Sequence, residues 1–205
     1  MIVSLVRHGV TEWNTVHRFQ GQTDVPLSDE GRQQAGHLAR RFSGDDITRL
    51  LSSDLSRAVE TVQIIGKGRD LKLGTDAAWR EMALGELEGC LAADVRRDNP
   101  ELMKLWRERP SEVQMPGGEA FAALQTRIRG AFDALAEGEA EGEIVVVTHG
   151  FAILSLLTHL LGLELDSFRR LWIDPTGISR IERRAGRWVV RSINDTGHLP
   201  PSGAR

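Results

Sequence analysis

The segment Ile2-Val3-Ser4-Leu5-Val6-Arg7-His8-Gly9 decides how this 205-residue chain is interpreted. Its apolar part is too short for a helix and rich in β-branched residues, which is typical of a buried strand. In open α/β sheets, chemistry occurs where strands end at their carboxyl edge, and Arg7 and His8 occupy that place. The arginine guanidinium offers paired N–H donors that bind an oxyanion, and the neighbouring histidine imidazole offers a nucleophile that can attack the bound group. Two solvated side chains at an ordinary strand end would look the same, so the rest of the chain has to decide.

The composition excludes several classes of protein. A hydrophobic content of 40% and a charged content of 27% are those of one globular domain, which we expect to span residues 1–205. The net charge of -3 gives no basic field for nucleic acid or an anionic membrane. The single cysteine, Cys90, excludes an internal disulfide framework and is more often an incidental thiol than a catalytic one. With no targeting segment or membrane-length apolar run in this sequence, we predict a cytoplasmic location.

Strand and helix patterns alternate along the chain, which favours an α/β three-layer sandwich with a mostly parallel central sheet. A late pair of segments, 177–184 and 187–193, is joined at Ala185-Gly186 and predicts an antiparallel hairpin at the sheet edge. The remaining predicted strands are 47–52, 71–73 and 143–148, and the predicted helices are 29–42, one capped by Ser53-Asp54, 121–135 and 151–161.

Residues 76–118 interrupt this alternation. Two short helical pieces, around 92–97 and 101–107, are punctuated by Pro100, Pro110 and Pro116-Gly117-Gly118. We interpret 76–118 as a helical lid insertion over the functional site and not as an independent domain.

A second strand repeats the ending of the first. Residues 143–148 form the clearest buried strand in the chain and lead into His149-Gly150, as the first strand leads into His8-Gly9. Arg57 falls in the first turn of a helix that follows a strand, so it belongs at the same edge, where the backbone donors of that turn add to its charge. Two arginines, two histidines and a helix start predict a pocket for a tetrahedral dianion.

These residues also carry a family resemblance that extends from residue 2 to residue 199. The chain resembles the small phosphatase branch of the histidine phosphatase (phosphoglycerate mutase-like) superfamily. The first resembling block is Leu5-Val6-Arg7-His8-Gly9-Val10-Thr11-Glu12-Trp13-Asn14, continued by Phe19-Gln20-Gly21, Asp24-Val25-Pro26-Leu27-Ser28 and Gly31. The later blocks are Ser52-Ser53-Asp54-Leu55-Ser56-Arg57-Ala58 with Thr61, Arg80-Glu81 with Gly85 and Glu88-Gly89, Val147-Thr148-His149-Gly150, and Asn194-Asp195 with His198-Leu199.

The resemblance implies a two-step phosphoryl transfer without a metal or another cofactor. His8 would attack phosphorus through Nε2, Arg7, Arg57 and His149 would hold the non-bridging oxygens, and Glu81 would be the general acid. The substrate-binding residues that it implies are Thr11, Asn14, Gln20, Gly21 and Gly150. Such a transition state needs positioning and charge stabilisation more than covalent chemistry, which agrees with the residue types present.

The residues themselves do not separate Glu81 from Glu86 and Glu88, which lie nearby in the sequence, and each of the three is also a candidate for a solvated charge. Three functions compete. The first is a phosphomonoesterase on small phosphorylated metabolites, the second a cofactor-dependent phosphoglycerate mutase, and the third a non-catalytic phosphate-binding regulatory module. The expected partner is a small-molecule phosphate ester and neither nucleic acid nor a membrane, and the sequence leaves a homodimer open.

Overall fold

The computed structural model describes residues 1–137 and 142–200. Its sheet has six strands in the order β3-β2-β4-β1-β5-β6, in which the first four are parallel and the last two antiparallel. The strands are β1 Ile2–Arg7, β2 Ile47–Ser52, β3 Leu73–Thr75, β4 Glu143–Thr148, β5 Ile178–Arg184 and β6 Arg187–Asp195. The predicted α/β sandwich, with a mostly parallel sheet and an antiparallel edge, is confirmed.

Helices cover both faces of the sheet. They are α1 Glu12–Thr15, α2 Asp29–Arg41, α3 Ser56–Gly66, α4 Ala92–Asp98, α5 Pro100–Glu108, α6 Phe121–Ala136 and α7 Gly150–Leu160. Successive residues of a strand point to opposite faces, so Leu5 of β1 packs into the core with α6 and α7, while Val6 packs into the core with α2 and α3. The central strands β1 and β4 are therefore mostly apolar, because both of their faces are buried. No described helix is long and apolar enough to cross a membrane.

The pairing of β1 with β4 sets the position of the predicted site. The two strands are parallel, and Arg7 is the register partner of Thr148. The next residues, His8 and His149, therefore leave the sheet side by side, and the His8 amide donates to the Thr148 carbonyl at 3.0 Å.

Two local predictions are wrong. The strand expected at 71–73 lies at Leu73–Thr75. Ser53 and Asp54 do not cap α3, because its N-cap is Leu55, without a capping side chain. Asp24, from the loop before α2, instead accepts a hydrogen bond from the Ser56 amide at 2.8 Å. Local sequence indicated a cap, but a distant carboxylate supplies it, and the Ser53 hydroxyl is used elsewhere.

Residues 76–118 contain α4, α5 and three short 3₁₀ segments. Their buried side chains, including Trp79, Val95 and Met115, belong to the same hydrophobic cluster as β1 and β4. Trp106 of α5 contacts the ring of Phe151 on α7 with ring centroids 5.3 Å apart. The helical pieces are therefore packed onto the central core, and the lid assignment stays a prediction.

Two glycines on α2 give a test of this packing. A Cβ at Gly31 would lie 2.1 Å from the Val10 carbonyl oxygen, whereas one at Gly36 would meet nothing within 4 Å. We expect Gly31→Ala to lower the free energy of unfolding by about 1–3 kcal/mol, because the clash is with backbone that cannot rotate away. Gly36→Ala, the matched control, should raise it by about 0.5–1 kcal/mol through helix propensity. Denaturant unfolding of both variants measures these changes, and equal effects would contradict the packing described.

Candidate active site

The carboxyl edge of β1 and β4 meets the N-termini of α3 and α7, and four predicted residues converge there. Arg7 ends β1, Arg57 is the second residue of α3, and His149 is the N-cap of α7. The ring centroids of His8 and His149 are 5.1 Å apart. The Nε of Arg57 donates to Nε2 of His8 at 3.3 Å, which is long for a hydrogen bond.

His8 is held as a neutral imidazole in which one ring nitrogen is unprotonated. Its side chain is buried, and Nδ1 lies 2.7 Å from the Gly9 carbonyl, which can only accept, so Nδ1 carries the proton. Burial, followed by the charges of Arg57 and Arg7, holds the pKa of His8 well below its usual 6.5. The lone pair of Nε2 is therefore available at neutral pH.

Arg57 is 1% exposed and is fixed by backbone carbonyls of the loop after α1. Its Nη1 donates to the Thr23 carbonyl at 2.9 Å and its Nη2 to the Gly21 carbonyl at 2.7 Å. Burial lowers the pKa of Arg57 to about 10, which still leaves it charged at pH 7. Gly21, predicted to bind substrate, thus anchors Arg57 in this structure.

Arg7 has a buried donor without a partner. Its Nη1 donates to the Ile173 carbonyl at 2.7 Å, but Nε, which is also buried, has no hydrogen-bond partner. Burial lowers the pKa of Arg7, while the charges of Glu81 and Asp174 oppose the shift. A buried unpaired donor costs about 1–3 kcal/mol, so this arrangement indicates the place of an anionic ligand.

His149 presents a second buried atom without a partner. Its Nε2 lies 2.7 Å from the Ser53 hydroxyl, and its Nδ1 has no partner. Burial, then Arg57 and His8, hold the pKa of His149 well below 6.5. When the Ser53 hydroxyl donates to Nε2, the proton of the neutral ring resides on Nδ1, which is then a buried donor without a partner. Ser53 was not among the site residues predicted from the sequence; the available signal was a hydroxyl directly after the predicted strand 47–52.

Glu81 lies against the start of α7. Its Oε2 accepts from the Phe151 amide and its Oε1 from the Ala152 amide, both at 3.1 Å. Burial raises the pKa of Glu81 above 4.5, while these hydrogen bonds and the charges of Arg7 and Arg57 oppose the rise. Gly150 lies between the two charges, since a Cβ there would be 3.7 Å from Cζ of Arg7 and 3.8 Å from Oε2 of Glu81.

The other two acids have different surroundings. Glu86 is exposed, and Glu88 accepts hydrogen bonds from the Gln22 and Leu84 amides and from the Thr23 hydroxyl. Glu88 therefore stabilises the loop that holds Arg57. Of the three carboxylates, Glu81 is the one packed against Gly150 and the N-terminus of α7.

Three further predicted residues bind one another. Thr11 caps α1, its hydroxyl lies 3.1 Å from Oδ1 of Asn14, and it lies 2.9 Å from Oε1 of Gln20. The structure has the short helix α1 here because Thr11 and Asn14 form a reciprocal cap. Contact of these three residues with a substrate stays a prediction. Within residues 1–137 and 142–200, no group of three or more His, Cys, Asp or Glu is arranged to hold a metal ion.

Comparison with known proteins finds relatives that match nearly the whole chain. The probable phosphoglycerate mutase GpmB of Yersinia enterocolitica is 36% identical to this chain, over 96% of this chain and 94% of that protein. YhfR of Bacillus stearothermophilus superposes with a TM-score of 0.92 at 29% identity, covering 96% and 98% of the two chains. A mycobacterial glucosyl-3-phosphoglycerate phosphatase, Rv2419c, solved in complex with VO3, has a TM-score of 0.88 at 30% identity, covering 95% and 99%. The model of the histidine phosphatase superfamily (branch 1) matches residues 3–196, and the chain therefore belongs to that superfamily.

Proposed function

We propose that this protein is a metal-independent phosphomonoesterase that hydrolyses small phosphorylated metabolites through a phosphohistidine at His8. The observation that carries the proposal is the pairing of a buried, neutral His8 with two unpartnered buried nitrogens, Nε of Arg7 and Nδ1 of His149. A nucleophile and unsatisfied donors at one point are what phosphoryl transfer requires.

In the first step, the Nε2 lone pair of His8 attacks phosphorus in line with the ester oxygen. The N–P bond forms as the bond from phosphorus to the ester oxygen breaks, and Glu81 gives its proton to the departing oxygen, so a neutral alcohol leaves. The proton on Nδ1 remains hydrogen-bonded to the Gly9 carbonyl, which stabilises the positive charge that the ring gains.

The second step reverses these roles with water. Glu81, now a carboxylate, takes a proton from water as the water oxygen bonds to phosphorus. The N–P bond breaks, its electron pair returns to Nε2 of His8, and inorganic phosphate leaves. Burial raises the pKa of the Glu81 carboxyl group, which favours the protonated form that the first step needs and makes its carboxylate a better base for the second.

Three groups hold the transferring phosphoryl oxygens in this mechanism. Arg7 contributes its unpartnered Nε, His149 contributes Nδ1, and Arg57 exchanges its long contact with His8 for a phosphate oxygen. Carbonyls already occupy the other nitrogens of Arg57, so its guanidinium needs no reorganisation at the moment of reaction. The backbone amide of Gly150 is a further donor candidate, together with Asn14, Thr11 and Gln20.

The ion pairs in segment 76–118, the predicted lid, favour a substrate with one phosphate. Three of its arginines are paired with neighbouring acids: Arg97 with Asp94 and Asp98, Arg107 with Glu108, and Arg109 with Glu112. These exposed pairs lower the cationic charge that the segment offers to a second phosphate, and Arg96 and Lys104 also contribute to that charge. The mycobacterial relative is a glucosyl-3-phosphoglycerate phosphatase and the Yersinia relative a probable phosphoglycerate mutase, which supports phosphate esters of small hydroxy acids as the substrate class.

The second candidate is a phosphoglycerate mutase, which the name given to the Yersinia relative favours. Such an enzyme must protect its phosphohistidine from water and hold a bisphosphorylated intermediate. The paired charges of the lid count against this function, as does the segment Phe19-Gln20-Gly21-Gln22-Thr23-Asp24, where mutases of the family typically carry Thr-Gly-Trp. A non-catalytic phosphate-binding module is less favoured still, because nucleophile and acid are both present.

The nucleophile is tested directly by trapping. We expect a radiolabelled phosphomonoester, mixed rapidly with the enzyme and quenched without acid, to leave label on the peptide that contains His8. The reason is that neutral Nε2 of His8 is the bare nitrogen beside Arg57. His159→Asn, an exposed histidine on α7, is the control and should label normally. Label on His149 would overturn the assignment.

The role of Arg57 is tested by a conservative change. Arg57→Lys should lower kcat/KM by roughly 10²- to 10³-fold, nearly as much as Arg57→Ala, because an ammonium cannot reproduce three differently directed N–H contacts. Arg40→Lys, on the surface of α2, is the control. Near-normal turnover of Arg57→Lys would mean that Arg57 supplies only positive potential.

Phosphatase and mutase are separated by product analysis. We expect release of inorganic phosphate from monoesters with chelator present, and little interconversion of 3- and 2-phosphoglycerate even when bisphosphoglycerate is added. The physical reason is that Arg97, Arg107 and Arg109 of the predicted lid are each paired with a neighbouring acid, which weakens the attraction for a second phosphate. Mutase turnover in excess of phosphate release would replace the phosphatase proposal with its rival.

A further inference from the structure

One arginine outside the site is hydrogen-bonded through every N–H that it has. Arg127, on α6, donates through Nη1 to the carbonyls of Ala78 and Arg80, both at 2.9 Å. Its Nη2 donates to the Glu81 carbonyl at 3.2 Å and to Glu119 at 2.8 Å, and its Nε donates to Glu119 at 3.0 Å. A guanidinium has five N–H donors, and all five are used.

Glu119 holds the other end of the same segment. Its Oε2 accepts from the Ala83 amide at 3.3 Å, and its own amide donates to the Ala83 carbonyl at 2.8 Å. The side chains of Arg127 and Glu119 are only 24% and 16% exposed. The Arg127–Glu119 ion pair therefore holds the main chain of residues 78–83 from both ends, and Glu81 lies within this segment. We call this ion pair the bracket.

The bracket is needed because of the local backbone. Residues 80–84 lie in neither a helix nor a strand, so no ladder of hydrogen bonds fixes them. Partly buried carbonyls must still find donors, and Arg127 supplies them to three of the six residues of the segment. Gln22 adds one more contact, from Nε2 to the Glu81 carbonyl at 3.0 Å.

The position of the Glu81 carboxylate follows from this bracket. It meets the Phe151 and Ala152 amides at 3.1 Å, and these contacts require the main chain of Glu81 to stay at a fixed distance from α7. Arg127 belongs to α6, which packs beside α7 on the same face of the sheet. The helices α6 and α7 therefore fix the position of the Glu81 main chain and the position of the amides that orient its carboxylate.

We propose that Arg127 and Glu119 are positioning residues for Glu81, which align its carboxyl group with the departing ester oxygen without touching the substrate. This inference rests on the general-acid role of Glu81 in the proposed function. Removing these two residues should affect one part of the reaction and not the other. Loss of the bracket should impair proton delivery and leave the phosphate contacts of Arg7, Arg57 and His149 in place, since those are anchored by Ile173, Gly21, Thr23 and Ser53.

The choice of leaving group makes this selectivity measurable. An alkyl phosphate, such as glycerol 2-phosphate, needs a proton on its leaving oxygen, whereas 4-nitrophenyl phosphate departs as a stable phenolate. The ratio kcat/KM reports the steps up to the first irreversible one, so it isolates formation of the phosphoenzyme from its later hydrolysis. Glu81→Gln is the reference and should lose roughly 10²- to 10⁴-fold on the alkyl ester and much less on the aryl ester.

We expect Arg127→Met to lose roughly 10- to 10²-fold on the alkyl ester, because a displacement near 1 Å costs about that much, with aryl activity kept within about threefold. Glu119→Gln should show the same selectivity with a smaller loss, and it is the variant that decides if Arg127→Met does not fold. In the Glu81→Gln background, Arg127→Met should add less than about threefold on either ester. Arg129→Met, an exposed arginine on the same helix, is the matched control and should match the unmodified enzyme.

The outcomes separate the inference from the function on which it rests. Equal losses on both esters, or a full additional loss in the Glu81→Gln background, would show that Arg127 and Glu119 serve the fold alone. If Glu81→Gln itself loses both activities equally, the acid role in the proposed function is wrong and the inference fails with it. If Glu81→Gln and Arg127→Met each lose activity mainly on the alkyl ester, and the double variant loses little more than Glu81→Gln alone, both the acid role of Glu81 and the positioning role of Arg127 are supported.

Discussion

The parallel pairing of β1 with β4 is the constraint on which the site depends. Its register sets Arg7 opposite Thr148, so His8 and His149 leave the sheet at the same edge with ring centroids 5.1 Å apart. A slip of one residue would turn Leu5 and Val6 to the opposite faces, and both faces are buried under helices. The energy that fixes this register is therefore the burial of apolar side chains, and the alignment of the polar residues follows from it.

The site that this edge creates places four nitrogen-rich side chains in a buried volume. Burial lowers the pKa of both histidines and both arginines, yet the histidines become neutral while the arginines stay charged. The result is two buried guanidinium charges beside the neutral imidazoles of His8 and His149. Keeping Nε of Arg7 and Nδ1 of His149 without partners costs stability, and an oxyanion bound between them would recover that cost.

Backbone carbonyls do much of the positioning. Ile173 orients Arg7, Gly21 and Thr23 orient Arg57, and the amides of α7 orient the carboxylate of Glu81. The carbonyl partners lie in loops, so the geometry of the two arginines depends on how those loops pack. Membership of the histidine phosphatase superfamily agrees with this arrangement, in which one sheet edge can serve several substrates through different loops.

The sequence by itself determined every strand but β3, most helices and the convergence of Arg7, His8, Arg57 and His149, because apolar periodicity and the residues that follow each strand are local signals. It also indicated Glu81, through the family resemblance, without separating it from Glu86 and Glu88 by physical argument. Only the tertiary structure decided that Glu88 holds a loop, that Ser53 contacts His149 and that Asp24, not Ser53 or Asp54, serves the start of α3. The bracket of Arg127 and Glu119 around Glu81 was likewise invisible, since Arg127 contacts carbonyls 46 to 49 residues away. A hydrogen bond between distant residues leaves no periodic trace in the sequence, and it exists only once packing has brought its two ends together.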